Sequence, residues 1–253
     1  MSIVFDIETE PLPDEQLVKV CDSFDPASVL HPGEFDESAV KLGNVKDPAK
    51  IAEKIAAAKA SHEKSVADHA EIVRKAAVAH WSEIKDKAAL DATTGAVCAI
   101  GYKSREDREI IETVLDMSEV DLITRFWKCM NKMRSENRKA IGHYSNSFDV
   151  PFLVRRSWIL GIPVPDWITT PTGYLNPMFV DTMAVWQVGN RRDSIKLDRL
   201  ARALDCGSKP DDCTGAQFYM MLRGEGADRE AAIEYLRNDL QMPFNIARKL
   251  RLL

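Results

Sequence analysis

The stretch that most constrains this chain is Ser2-Ile3-Val4-Phe5-Asp6-Ile7-Glu8-Thr9, an apolar run that ends in two carboxylates two residues apart. Side chains alternate across a strand, so Asp6 and Glu8 share one face while Phe5 and Ile7 occupy the other. Two acids on one face at the edge of a core repel each other, and burying them is unfavourable unless positive charge sits between or beside them. A hard divalent cation such as Mg²⁺, which takes oxygen ligands and keeps positions open for water and phosphate, meets that requirement. The chain therefore needs a sheet with this strand inside it and further acids brought to its polar face.

The 253 residues suit one large domain, or a core with an insertion. No run approaches the roughly 20 apolar residues of a membrane helix, and the N-terminus enters a strand without a signal pattern, so the expected location is cytoplasmic. Five cysteines (Cys21, Cys98, Cys129, Cys206, Cys213) form no C-x-x-C pair and are expected to be reduced. A formal net charge of −5 argues against broad coating of nucleic acid. It leaves room for a site that holds a few nucleotides through metal ions, because bound cations invert the local electrostatics.

After Pro11-Leu12-Pro13, residues 14–47 mix short helical and loop signals and predict irregular structure. From Asp47-Pro48 the composition shifts to Ala, Lys and Glu, with no Gly or Pro before Gly95. Asp47 reads as an N-cap with Pro in the first turn, and Gly95 as the stop. Apolar residues and His62, His69 and His80 recur at spacings of three and four, which predicts one helical seam about 65 Å long if unbroken. The histidines are too far apart along the axis to share one ion, so the seam is expected to pack on the body or on a partner.

Residues 95–102 and 109–114 read as paired strands around a polar turn, and Ser118 with Asp121 as the cap of a helix over 120–133. A strand over 139–144 follows, then helices over 149–160, 182–187, 195–204, 215–222 and 228–252. The order predicts an α/β fold: a mixed sheet flanked by helices, with a long helical insertion after the first strand.

Three segments answer one another. They are Phe5-Asp6-Ile7-Glu8-Thr9; Asn146-Ser147-Phe148-Asp149 followed by Pro151-Phe152-Leu153; and Tyr235 four residues before Asp239, on one face of a helix. By itself Asp149 reads as a helix N-cap. Together the segments resemble the DEDD superfamily of 3′–5′ exonucleases, with the ribonuclease H-like fold. Tyr235 four before Asp239 marks the tyrosine branch (DEDDy), and the closest likeness is to a stand-alone form of the proofreading exonuclease domain of DNA polymerases. Residues 179–182 and 195–201 look like the segment between the second and third motifs. Where many members carry Asn five residues before the second-motif Asp, this chain has Tyr144.

The resemblance implies an exonuclease core at 1–13 and 95–253, with a mainly helical insertion at 14–94. It implies two divalent ions, Mg²⁺ or Mn²⁺, held by Asp6, Glu8, Asp149 and Asp239. Asp6 would bridge both ions, and Tyr235 would orient the attacking water. The implied reaction releases nucleoside 5′-monophosphates from a 3′ end, with single-stranded DNA the favoured partner. Asn146, Phe148, Arg191, Arg192 and Lys196 are candidate substrate contacts, and Arg155 and Arg156 further cations for phosphates. The insertion offers a surface for a homo-oligomer or a protein partner. The competing expectation is a non-catalytic nucleic-acid-binding or scaffold protein that retains the fold.

Overall fold

A computed structural model describes residues 2–169, 173–209 and 215–253; Cys213 lies outside these described residues. Tertiary contacts divide the chain into two units, Met1–Val20 with Ala88–Leu253, and Cys21–Lys87.

The first unit is built on a five-stranded sheet of order β3-β2-β1-β4-β5, with β1 (Ile3–Pro11) at its centre. Strand β1 pairs antiparallel with β2 (Gly95–Arg105) and parallel with β4 (Ala140–Gly142), so the sheet is mixed. Strand β3 (Arg108–Thr113) extends β2 at one edge, and β5 (Phe179–Asp181) lies beside β4 at the other. The three residues of β5 lie where the sequence showed only a family-like segment; so short a strand offers too few residues for an alternation to register.

The alternation in β1 sets the two faces. Phe5 and Ile7 enter the larger core with Ile100, Phe126, Phe152 and Phe179. That face is covered by α3 (Glu119–Ser135) and α4 (Asp149–Leu160). Val4 faces the other way and packs on Leu240, Phe244 and Ala247 of α8 (Ala227–Lys249). Gly101 permits this approach, since a Cβ there would lie 2.7 Å from Leu240 Cδ1. Gly101 is also the register partner of Asp6, so Asp6 and Glu8 face α8.

Local signals account for the flanking helices. The Ser118 hydroxyl accepts from Asp121 N–H and donates to the Asp121 carboxylate, capping α3. Helix α4 stops at Gly161, whose φ of 69° is the left-handed conformation that glycine adopts without steric cost. Helices α5 (Thr182–Gln187), α6 (Leu197–Ala203) and α7 (Gly215–Arg223) complete the unit with the short α1 (Asp14–Val20). Among the described residues no helix is long and apolar enough to cross a membrane.

The second unit consists of most of α2 (Pro48–Ala88), one unbroken helix of 41 residues capped by Asp47, and the largely irregular segment before it. Within this unit the histidines of the seam stack on that segment: His80 on Phe24, His69 on His31, and His62 on Phe35. Partners rise in number from 24 to 35 as the histidines fall from 80 to 62, so the segment runs back along the helix. Helix α2 ends at Ala88, seven residues before the expected stop at Gly95. Thr94 Oγ1 donates to the Ala88 carbonyl and Gly95 N–H to the Asp91 carbonyl, which closes the end with a compact turn.

Candidate active site

Strand β1 and helix α8 assemble the acids. Asp6, Glu8 and Asp239 each offer a carboxylate oxygen such that all three lie within 4.8 Å of one another. Tyr235 lies one turn before Asp239 on the face of α8 that packs against the sheet. Asp149 comes from the first turn of α4 and is buried. It does not cap its helix: the N-cap position is Phe148, and the Asp149 carboxylate instead accepts the Ile7 N–H at 3.2 Å. That bond ties the start of α4 to β1 between Asp6 and Glu8.

The electrostatics are those of acids crowded out of water. Burial first, then Asp149, Glu8 and Asp239, push the Asp6 carboxyl well above its ordinary range. Glu8 is raised by burial and then by Asp239, and Asp239 is raised by burial. Asp149 is lifted to about 7, chiefly by burial, although its bond to Ile7 N–H pulls the other way. Burial and the neighbouring acids Asp239, Glu8 and Asp6 push the Tyr235 hydroxyl far above its ordinary value of 10.0. Burial is the largest cause of each shift, and for Asp6, Glu8, Asp149 and Tyr235 the crowding of neighbouring carboxylates adds to it.

Part of the compensation comes from Lys209, which the sequence reasoning did not find. Its ammonium donates to Asp239 Oδ2 at 2.6 Å and to the Tyr235 hydroxyl at 2.8 Å, and lies 4.5 Å from the tyrosine ring centre. Its backbone N–H donates to the Asp198 carboxylate of α6 at 2.9 Å, fixing the loop that delivers it. One cation does not serve three carboxylates, and Asp239 Oδ1 is buried without a hydrogen-bond partner among the described residues. Hard divalent ions fit this donor set of carboxylate oxygens.

The other sequence candidates fall into two groups. Asn146 sits in the β4–α4 loop, where the Asp181 carboxylate accepts the N–H groups of Tyr144 (2.9 Å) and Asn146 (3.1 Å). Asp181 also caps α5 through Met183 N–H, so one buried acid organises the whole second motif. Tyr144, held at φ 61°, leaves its ring half exposed beside that loop. Phe148 is packed against the core, 5.5 Å from the Phe152 ring. Arg191, Arg192 and Lys196 are exposed in the turn before α6, and none makes an ion pair with the acids among the described residues.

Arg156 requires a correction. It is buried, paired through two nitrogens with Glu119 at 2.9 and 2.8 Å, and bonded to the Ala92 carbonyl, so it holds α4 to α3 and faces no phosphate. Arg155 beside it is exposed. A guanidinium that reads as a solvated helix charge is drawn inside because its partner, 37 residues earlier, lies directly opposite.

Comparison with known proteins agrees with this fold. The profile of the RNase_H superfamily matches residues 87–251, which include Asp149, Tyr235 and Asp239 and stop short of β1. No curated protein sequence matches the chain. Among solved structures, the family B DNA polymerase of the hyperthermophilic archaeon Pyrobaculum calidifontis aligns with a TM-score of 0.52 at 20% identity. The alignment covers 66% of this chain and 23% of the polymerase, and at that identity it establishes likeness of fold alone.

Proposed function

This chain belongs to the RNase_H superfamily, and from that premise we propose that it is a metal-dependent 3′–5′ exonuclease of the tyrosine branch, acting on single-stranded DNA. The observation that carries the proposal is the convergence of Asp6, Glu8 and Asp239 within 4.8 Å, beside Tyr235 and the buried Asp149. Superfamily membership supports a nuclease-type function; direction and substrate rest on the order of the motifs.

Asp6, Glu8 and Asp239 would hold Mg²⁺ or Mn²⁺, with Asp149 supporting a second ion. Bound there, the ions supply Lewis acidity, which lowers the pKa of the attacking water and stabilises the leaving 3′ oxygen. Tyr235 stays protonated at neutral pH because burial, and then its acid neighbours, raise its pKa, so it orients water by hydrogen bonding and is no general base. Lys209 donates to the tyrosine oxygen, and the Tyr235 hydroxyl in turn donates to the Asp239 carboxylate, so the ring is held beside the acids. Burial of Glu8, Asp149 and Asp239 keeps bulk water from screening them. The released product is a nucleoside 5′-monophosphate.

The test is mass-resolved digestion of 3′-labelled and 5′-labelled single-stranded DNA and RNA with Mg²⁺ or Mn²⁺, comparing wild type with Asp6→Ala. A ladder that shortens from the 3′ end of DNA, yields 5′-monophosphates and is absent in Asp6→Ala is expected. Binding without cleavage under either metal would sink the proposal in favour of a scaffold that retains the fold.

A further inference from the structure

On the face of the sheet opposite the acids, the edge strand β3 and helix α3 enclose a cleft of about 510 Å³. The register separates it from the active-site face. Tyr102, on its wall, pairs with Phe5 and Ile110, whereas the acid-bearing side of β1 meets Gly101 and α8. A strand threaded through the acids does not enter this cleft without passing around the sheet.

The cleft is cationic in a chain whose formal net charge is −5. Arg105, Arg108, Arg125, Lys128, Lys132 and Arg138 line it, against the two carboxylates of Glu112 and Glu136. Arg125 pairs with Glu112 and Arg138 with Glu136; Arg108, Lys128 and Lys132 make no ion pair among the described residues. The remaining lining is of a different kind. Ile3, Ile110, Cys129 and Met133 give an apolar floor.

Tyr102 adds a second observation that points to a ligand. The residue is 9% exposed, and its hydroxyl is buried with no hydrogen-bond partner among the described residues. Burial raises the pKa of that hydroxyl, and Cys129, Glu112 and Arg125 act on it next, so it faces groups that line the cleft. A buried hydroxyl without a partner is unfavourable, and a ligand's acceptor or donor would relieve that cost.

We infer that this cleft is a binding site for a nucleoside polyphosphate, with the phosphates on the cationic rim and the base against Ile110, Cys129 and Met133. The volume falls within the range of about 300–1,000 Å³ typical of small-molecule sites. A flat aromatic base suits the apolar floor and the methionine sulfur, and the unpartnered Tyr102 hydroxyl belongs to the residue that forms its wall. Lone phosphate would use the rim and leave the floor wet; an apolar ligand would leave the cations unanswered. The site does not depend on catalysis at the acids.

Calorimetric titration of the full chain in EDTA, where the acids repel anions, tests this with ATP, adenosine, inorganic tripolyphosphate and a single-stranded DNA oligonucleotide. The proteins compared are wild type, Asp6→Ala and the double variant Lys128→Glu/Lys132→Glu, whose changes are on exposed positions. ATP is expected to bind wild type and Asp6→Ala alike, and more tightly than adenosine or tripolyphosphate. The double variant is expected to weaken ATP about tenfold or more at unchanged melting temperature. Absence of ATP binding, or undiminished binding in the double variant, overturns the inference. Tripolyphosphate as tight as ATP would reduce the cleft to an anion patch. Loss of DNA binding alone in the double variant would make it a nucleic-acid surface instead.

Discussion

Removing divalent metal should make this protein less stable as the pH rises from 5 to 7, against the usual tendency of carboxylates to favour the folded state at neutral pH. A carboxyl raised from 3.8 to about 7, as Asp149 is, binds its proton more tightly folded than unfolded. Its stabilising effect is therefore complete below the unfolded value and is lost as pH rises through the folded one. For Asp149 alone the full effect is about 4 kcal/mol, at about 1.4 kcal/mol per tenfold change in proton affinity, and roughly half of it, about 2 kcal/mol, is lost between pH 5 and 7. Asp6, Glu8 and Asp239 shift in the same direction and steepen the fall. His143 opposes it, because burial lowers its pKa and its contribution grows as pH rises toward 6.5. Four acids outweigh one imidazole. The assay is urea unfolding in EDTA across pH 5 to 7, repeated with saturating Mn²⁺ and with Asp149→Asn. A stability that falls in EDTA, falls less in Asp149→Asn and flattens with Mn²⁺ is the expected outcome. Metal-free stability that is constant or rising over this window would refute the reasoning.

Lys209→Met should tighten Mn²⁺ binding about tenfold or more, since its ammonium occupies Asp239 at 2.6 Å and repels a second cation; titration followed by electron paramagnetic resonance reads this, and weaker binding counts against it. Gly101→Ala drives a methyl to 2.7 Å from Leu240 Cδ1 and should cost about 1–3 kcal/mol in urea unfolding as α8 is pushed from β2. The same variant should lose nuclease activity, because Asp239 rides on α8. Arg156→Met leaves Glu119 without its bidentate partner and should destabilise the fold by about 3–5 kcal/mol; a change below about 1 kcal/mol would show that the pair contributes little.

Much of this architecture is legible in the chain because its signals are local. The pleat of β1 assigns Phe5 and Ile7 to the core and Asp6 and Glu8 to the opposite face. Ser118 and Asp121 announce α3, Gly161 ends α4, and the spacing of four brings Tyr235 and Asp239 onto one side of α8. Such rules operate within a turn or a pleat, where the covalent backbone fixes which side chains meet. The histidines of α2 were equally visible as a seam, but the rings that cover them come from 24–35, a segment without periodicity of its own.

What the sequence alone determined, then, is most of the elements, the mixed sheet and the acids that belong together by motif, but not the short β5 and α1. Tertiary structure decided which charges meet which. It turned Asp149 from a helix cap into an acceptor for Ile7 N–H, withdrew Arg156 into the core beside Glu119, and set Lys209 between Tyr235 and Asp239. It also left a cationic cleft on the far face of the sheet from the acids. The physical reason is that an ionisable group's energy depends on its burial and on charges a few ångströms away. Those neighbours are 26 to 142 residues distant along the chain, so only its closure into the sheet and helices brings them into range.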